Sequence, residues 1–151
     1  NQVIGVTTTE YSYALDGLYV GDMPQTSYIL GLTYKPIKGL RLQALYKTYD
    51  RNYADWSPES REVEGDADRA QVWEAPGYSK LDLHASYKLP IKGYDISLNA
   101  HVFNALDDIF IQDAVDNSKY NGWGDKVHAP HNAEVFLGTP RYANIGVTVN
   151  F

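Results

Sequence analysis

Histidine is the side chain in this sequence best suited to hold a metal ion or to change charge near neutral pH. His84 and His101 lie in two successive segments of alternating polar and apolar residues. If Leu89 pairs with Ile96 in an antiparallel hairpin, His84 lies directly opposite His101. Such a pair could bind a metal ion or sense pH. The alternative is two polar strand residues hydrogen-bonded to their neighbours, and no third metal ligand is evident in the sequence.

The other two histidines, His128 and His131, form an H-x-x-H motif close to Asp125. Zinc-binding helices place two histidines one helical turn apart beside a glutamate, but this segment contains Pro130, which disfavours a helix. A loop site for a metal ion or a metal chelate is one interpretation of this motif. The alternative is a solvated loop that carries two histidines.

Acidic residues are concentrated near these histidines, in a run formed by Asp107, Asp108, Asp113 and Asp116 with Asn117. The run lacks the spacing of a calcium-binding loop, so a solvated loop is the main expectation and structural calcium is the alternative. Acidic loops could also attract cations or bridge lipopolysaccharide through divalent ions.

Five aromatic residues lie in two long polar segments and are candidates for ligand contact, because exposed loop aromatics often contact ligands or partners. They are Tyr53, Trp56, Trp73, Tyr120 and Trp123. The alternative is that the loops pack on one another through these rings.

Catalytic chemistry is not indicated by the sequence. It contains no cysteine, no G-x-S-x-G elbow and no phosphate-binding loop. The net charge of −6 argues against non-specific binding of nucleic acid. The sequence therefore predicts a protein that is not an enzyme and has no cofactor.

Strands are the elements that must position these residues. Six segments alternate with the period of two that places apolar and polar side chains on opposite faces of a strand. They are Val3–Tyr13, Ser27–Lys35, Leu40–Tyr49, Lys80–Leu89, Tyr94–Leu106 and Tyr142–Phe151. No segment sustains a helical period, and no apolar run reaches the length of a transmembrane helix.

The connections between the segments alternate in length. The motif P-I-K-G occurs at 36–39 and again at 90–93, and each copy predicts a tight hairpin turn. Long polar segments, 51–77 and 107–139, separate the remaining strands and are expected to be loops. Short turns on one side and long loops on the other are typical of outer-membrane β-barrels, with the turns in the periplasm.

The last segment indicates the same class. One face of this strand is apolar, and the sequence ends on Phe151. A strand of this kind is similar to the closing strand of a bacterial outer-membrane barrel, whose terminal aromatic residue forms part of the signal for barrel insertion. The residues that would carry this signal are Tyr142, Ile145, Val147, Val149 and Phe151.

Four motifs together resemble TonB-dependent outer-membrane receptors of the Bacteroidetes type. The run Val102–Phe110 resembles an N-L-F-D-x-x-Y segment, and Gly138–Arg141 with the final strand resembles the family's G-x-P-R ending. Tyr34–Leu42 resembles a periplasmic hairpin of the family, and Val20–Thr26 resembles its V-G-D-x-P-x-T loop.

The resemblance implies that residues 1–151 are the C-terminal part of a barrel domain. The expected fold is all-β, with about six antiparallel strands of a transmembrane barrel of about 22. The earlier strands and the N-terminal plug would lie outside this sequence, which begins without a leader and is therefore expected to be a mature chain or a fragment.

The function implied is active uptake of a scarce nutrient across the outer membrane of a Gram-negative bacterium. The implied partners are outer-membrane lipid, TonB acting through the plug, the barrel-assembly machinery acting on the last strand, a surface lipoprotein and a small nutrient ligand, but no nucleic acid.

Three other functions remain open. Another outer-membrane barrel, such as a passive porin or a membrane-anchored enzyme, would share the alternating strands. A scaffold for a surface-lipoprotein complex would share them too. A soluble binder of the lipocalin type would instead turn its apolar faces inward around a ligand.

Overall fold

A computed structural model describes residues 8–10, 13, 15–58, 71–117 and 128–150, and every structural statement below concerns these residues. The fold is all-β and its named strands pair antiparallel, as the sequence predicts. The strands are β1 (Pro24–Tyr34), β2 (Leu40–Tyr53), β3 (Glu74–Ala75), β4 (Tyr78–Lys88), β5 (Asp95–Phe103), β6 (Ile111–Asp116), β7 (Ala133–Leu137) and β8 (Tyr142–Asn150). No helix within these ranges is long and apolar enough to cross a membrane.

Five long strands form the main sheet in the order β1-β2-β4-β5-β8. The short strand β3 pairs with the end of β2 through Asn52 and Ala75. Strands β6 and β7 form a separate hairpin, which an isolated parallel bridge between Asp55 and Val115 links to the segment after β2. The chain therefore leaves the sheet after β5 and returns to it with β8.

The second to sixth predicted strand segments are confirmed, although their first and last residues differ from the prediction. Strand β5 stops at Phe103 rather than at Leu106, because Asn104 adopts a left-handed conformation with a φ of 49°. Such a conformation ends regular strand pairing. The first predicted segment, Val3–Tyr13, lies mostly outside the described residues.

The prediction that 107–139 is a loop without regular structure is wrong. Strands β6 and β7 pair within it, and a single 3₁₀ turn at Pro130–Asn132 leads into β7. Phe110 and Ala114 of this segment are buried, and the ring of Phe110 stacks on Tyr78. Two buried residues in a mostly polar segment give too weak a periodic signal to predict this hairpin.

Both P-I-K-G segments form the predicted tight turns. Gly39 and Gly93 have φ values of 88° and 85°, a conformation that glycine adopts without strain. In the first turn the amide of Leu40 donates to the carbonyl of Ile37 at 3.2 Å. The two turns lie at the same end of the sheet, here called the turn end, and the longer connections lie at the opposite, loop end.

The buried apolar residues belong to the loop end and not to the faces of the sheet. They are Tyr53, Ala54, Val72, Ala75, Phe110 and Ala114. The sheet itself keeps one apolar face in the open, where Leu30 is 73% exposed and Ile145 is 83% exposed. The strands thus have no apolar core of their own among the described residues.

Candidate functional site

The polar face of the sheet gathers side chains from four strands into two neighbouring rows. In the first row, Gln43 of β2 pairs with His84 of β4, His84 with His101 of β5, and His101 with Asn144 of β8. The second row consists of Arg41, Ser86, Asn99 and Gly146 in the same strand order. The alternation of each strand places these residues on the same face.

The predicted pairing of His84 with His101 is confirmed, and so is the pairing of Leu89 with Ile96 that it depends on. The amide of Leu89 donates to the carbonyl of Ile96 at 2.9 Å. The Nδ1 atoms of the two histidines are 2.8 Å apart, which is hydrogen-bond distance. Because one Nδ1 must donate and the other accept, the contact as it stands holds a single shared proton.

An aromatic ring closes the loop side of the histidine pair. The ring of Phe103 meets His84 edge-on at 5.4 Å between centroids and lies beside His101 at 6.1 Å. Phe103 in turn stacks on Tyr142 of β8 at 4.7 Å. These rings fix the imidazoles in position from one side and leave the other side open.

A cavity of about 620 Å³ lies over these residues. Its wall is formed by Arg41, Gln43, His84, Ala85, Ser86, Asn99, His101, Phe103 and Asn144. The described part of the chain thus brings together a guanidinium, two imidazoles, three amides, a hydroxyl and an aromatic ring. This arrangement can bind a polar ligand.

The nearest carboxylate to the histidine pair is already engaged. Asp82 is 3% exposed, and Lys47 donates to its Oδ2 at 2.7 Å. The backbone amide of Asn104 donates to Oδ1 of Asp82 at 3.0 Å. The Asn104 side chain donates to the carbonyls of Asp108 and Thr139, so this network joins β2 and β4 to the loop after β5.

Among the loop aromatics, Tyr53, Trp56 and Trp73 lie within the described residues and contact the connecting segments. Tyr53 is 8% exposed and stacks on Tyr19 at 4.5 Å. The indole of Trp56 donates to the carbonyl of Tyr19 at 2.9 Å, and the carbonyl of Trp73 accepts from the amide of Ala54. Tyr120 and Trp123 lie outside the described residues. The side chains of Tyr53 and Trp56 thus contact the segment that contains Tyr19, and ligand contact by the loop aromatics stays a prediction.

The two loop histidines occupy different environments. The side chain of His128 is buried and its Nδ1 atom contacts a carboxylate oxygen of the buried Asp116 side chain, whereas His131 is exposed in the turn before β7. No three histidine, aspartate or glutamate side chains of the described ranges are grouped so as to hold a metal ion. The proposed metal site at His128 and His131 therefore stays a prediction, and Asp125 lies outside the described residues.

Asp22, Asp55 and Asp113 form a group of carboxylates at the loop end that the sequence alone did not reveal. Loss of hydration and the charges of Asp55 and Asp113 raise the pKa of Asp22 above its ordinary value, and a hydrogen bond with Asp113 raises it further. Asp22 also has a φ of 64°. Asp22 and Asp55 are 33 positions apart in the sequence, and Asp55 and Asp113 are 58 positions apart, so only the fold brings them together.

Residues of the predicted insertion signal are divided between the two faces of β8. Ile145, Val147 and Val149 lie on the apolar face and are exposed. Tyr142 lies on the polar face against Phe103. Phe151 lies outside the described residues.

The polar face was only partly predictable from the sequence. The alternation identified the polar residues of each strand, and the short turn between β4 and β5 fixed the histidine pair. The neighbours Arg41, Gln43 and Asn144 come from β2 and β8, whose pairing with β4 and β5 spans long connections. No local sequence pattern predicts that pairing.

Comparison of the chain with protein-family models, with curated proteins and with solved structures found no match.

Proposed function

We propose that this chain forms part of the wall of a transmembrane β-barrel, at the C-terminal end of a TonB-dependent receptor in the outer membrane of a Gram-negative bacterium. The receptor takes up a small nutrient, and the polar face of the sheet lines its passage. Its apolar face contacts lipid. The observation that carries the barrel part of the proposal is the exposed apolar face.

The apolar face has the same length along each of the five long strands. Each of the five strands contributes four apolar positions, and the registers place all of them on one face. Four alternate positions span roughly 20 Å, close to the apolar band of about 25 Å on outer-membrane barrels. The residues are Tyr28, Leu30, Leu32, Tyr34; Leu40, Leu42, Ala44, Tyr46; Leu81, Leu83, Ala85, Tyr87; Ile96, Leu98, Ala100, Val102; and Ala143, Ile145, Val147 and Val149.

The apolar band also crosses the sheet at a slant. On β1 the band begins, at the loop end, with Tyr28. Pairing across the sheet relates Tyr28 to Ser79 on β4.

On β8 the band begins, at the loop end, with Ala143. Pairing across the sheet relates Ala143 to Leu83, which is four residues farther along β4 than Ser79. From β1 to β8 the start of the band therefore moves by about 13 Å along the strand direction, over a sheet width of about 19 Å. If the band is parallel to the membrane, the strands are tilted from the membrane normal by about 35°. Strands of membrane barrels are tilted by about 35–45°, so a band parallel to the membrane is expected to slant in this way.

Tyrosines mark both borders of the band. Tyr28 and Tyr46 lie at its loop end, and Tyr34 and Tyr87 lie at its turn end. Tyrosine favours the boundary between hydrocarbon and water because its ring is apolar and its hydroxyl is polar. Beyond Tyr46, the hydroxyls of Thr48 and Ser79 are 3.1 Å apart on the same face, where the band ends.

Both outer edges of the sheet are open among the described residues. Strands β1 and β8 each pair on one side only. Unpaired backbone groups are very unfavourable in hydrocarbon, so a membrane wall of this kind requires further strands beyond β1 and β8. This supports a barrel that is larger than the present sheet.

The assignment to TonB-dependent receptors rests on the four sequence motifs and their order. The motif Val20–Thr26 enters β1 from the loop end, and Val102–Phe110 leaves β5 at that same end. The hairpin motif Tyr34–Leu42 lies at the turn end, which in this proposal is the periplasmic end. Other outer-membrane barrels share this placement of turns and loops, so the choice of the receptor rests on the motifs themselves.

Two measurements test the function. The intact mass of the native polypeptide, extracted from outer membranes in detergent, is expected to be several times the 17.0 kDa of this chain. The periplasmic domain of TonB, immobilised on resin, is expected to retain that polypeptide. A native mass near 17.0 kDa would contradict the receptor, and a large barrel that TonB does not retain would indicate a porin or a scaffold.

A further inference from the structure

We propose that the cavity on the polar face is a binding subsite for an oxyanion, a carboxylate or a tetrahedral group such as sulfate, held by Arg41, His84 and His101. Its position in a transport passage rests on the proposed function, whereas the binding itself does not. The subsite specifies the chemistry of the ligand: a nutrient that carries at least one such group.

The wall of the cavity has the charge that an oxyanion requires. Among the described residues, its titratable or charged side chains are Arg41, His84 and His101, and none of these residues contributes a carboxylate to it. Arginine presents several N–H donors in a planar fork, which suits carboxylate and sulfate oxygens. Four further hydrogen-bonding side chains are available beside it, from Gln43, Ser86, Asn99 and Asn144.

The charged groups around the histidine pair also favour an oxyanion over a cation. Arg41 and Lys47 of β2 and Asp82 of β4 all influence His84 electrostatically. Asp82 is the one acid among them, and Lys47 neutralises it at 2.7 Å. Strand β8 contributes the neutral Asn144 to this row. The formal charges of Arg41, Lys47 and Asp82 around the pair therefore sum to one positive charge.

The histidine pair links binding to pH. At 2.8 Å one Nδ1 donates to the other, and the pair can be neutral because each imidazole then carries one N–H. Added protons make the pair positive, and a fully protonated pair has two positive charges side by side. An oxyanion that accepts hydrogen bonds from the pair stabilises the added positive charge, so oxyanion binding and proton uptake favour each other. The affinity should therefore increase as the pH falls.

Access to the cavity is open where the second row ends. Gly146 lies in the row of Arg41, Ser86 and Asn99, and a Cβ atom added to it would have no neighbour within 4 Å. The space over Gly146 is thus open, and it leaves room for the rest of a ligand.

A metal ion fits the same residues less well. Imidazoles bind zinc, copper and nickel, but structural and catalytic sites need at least three protein ligands. Within the described ranges no such group of ligands exists. The guanidinium of Arg41 in the same wall also repels a cation.

The test is equilibrium dialysis of radioactive sulfate against the full protein in detergent, at about pH 6 and about pH 8. Sulfate keeps its charge over this range, so any pH effect belongs to the protein. Saturable binding is expected at the lower pH, and weaker binding by about tenfold at the higher pH. Arg41→Gln should weaken binding by about tenfold or more. The double variant His84→Asn with His101→Asn should weaken binding too and remove most of the pH dependence, because no imidazole then remains in the wall.

The matched control is Lys92→Gln, which removes one positive charge from the exposed second turn, outside the cavity. It should change the affinity by no more than about twofold. If Arg41→Gln does not fold, as judged by near-ultraviolet circular dichroism, Arg41→Lys replaces it. Lysine keeps the charge but loses the fork, so binding should again be weakened.

Absence of saturable sulfate binding would overturn the subsite, as would equal losses in the Lys92 and Arg41 variants. Zinc binding that His101→Asn abolishes, without any sulfate binding, would overturn it in favour of a metal site. Sulfate binding by a polypeptide with a native mass near 17 kDa would leave the subsite standing while contradicting the receptor.

Discussion

At the scale of single residues, polar side chains of this protein are positioned by contacts between elements that are distant in sequence. Asp82 is held by Lys47 and by the amide of Asn104, each from a different element. His84 is held by His101 and Phe103. Only the His84–His101 contact was predictable, because a single short turn separates the two strands.

The Lys47–Asp82 pair gives the first prediction. Lys47→Met leaves a buried carboxylate without its cation, which should lower the free energy of unfolding by about 2 kcal/mol. This is below the usual cost of breaking a buried pair because Lys47 keeps 23% of its side-chain surface exposed. Urea unfolding of the protein in detergent measures the change.

The Lys88–Asp95 pair is the matched control for that prediction. Its nitrogen and oxygen atoms are also 2.7 Å apart, but its side chains are 60% and 44% exposed. Water screens an exposed pair, so Lys88→Met should change stability far less than Lys47→Met. Equal effects of the two substitutions would show that burial does not set the strength of these pairs.

Asp22 gives a prediction about pH. Its folded-state pKa is raised above the ordinary value of 3.8, so between the two values the folded protein binds more protons than the unfolded chain. The contribution of Asp22 to stability therefore falls as the pH rises through this window, and the penalty persists above the folded-state pKa. Asp22→Asn removes the penalty, and asparagine tolerates the positive φ of this position.

Thermal unfolding across the acidic and neutral range measures this effect. Asp22→Asn should be more stable than the wild type at neutral pH, with the difference vanishing at low pH. Asp108→Asn, which removes a carboxylate outside the group formed by Asp22, Asp55 and Asp113, is the control for the loss of one negative charge. A variant Asp22→Asn that is less stable than the wild type at neutral pH would contradict the account of this carboxylate group.

At the scale of elements, the strands and tight turns were predictable and the supporting hairpin was not. Alternation over 78–88 and 95–103 is strong because one face of each strand is almost wholly apolar. Strands β6 and β7 are short, and their apolar side chains are few. Their pairing depends on contacts with Phe110 and with the segment after β2, which no local pattern shows.

The two P-I-K-G turns allow a prediction in which each turn is the control for the other. Both glycines have positive φ, so alanine is strained in either turn by roughly 1–2 kcal/mol. At Gly39 the added Cβ would also lie 2.8 Å from the carbonyl oxygen of Lys88, whereas at Gly93 it would meet nothing within 4 Å. Gly39→Ala should therefore be clearly more destabilising than Gly93→Ala.

Urea unfolding of the two alanine variants in the same detergent gives the comparison. The difference between them isolates the close approach of the first turn to β4, since the conformational strain is common to both. Equal destabilisation would mean that the first turn can move away from Lys88 at little cost.

At the scale of the whole molecule, the described chain is a sheet that lacks an apolar core between its strands and has two open edges. Soluble domains bury the apolar face of a sheet against another layer. Here the apolar face stays exposed on all five long strands, and its band slants by about the tilt that membrane barrels have. Hydrocarbon is the environment that we propose for this face.

Labelling of single cysteines along strand β4 shows which face of the sheet contacts lipid and which contacts water. The chain contains no cysteine, so single cysteines at positions 83 to 86 can be labelled without background from this chain. In intact outer membranes, His84→Cys and Ser86→Cys should react with a charged, water-soluble maleimide, and Leu83→Cys and Ala85→Cys should react only after solubilisation. Equal reactivity at all four positions, or the opposite alternation, would contradict a barrel wall whose apolar face meets lipid.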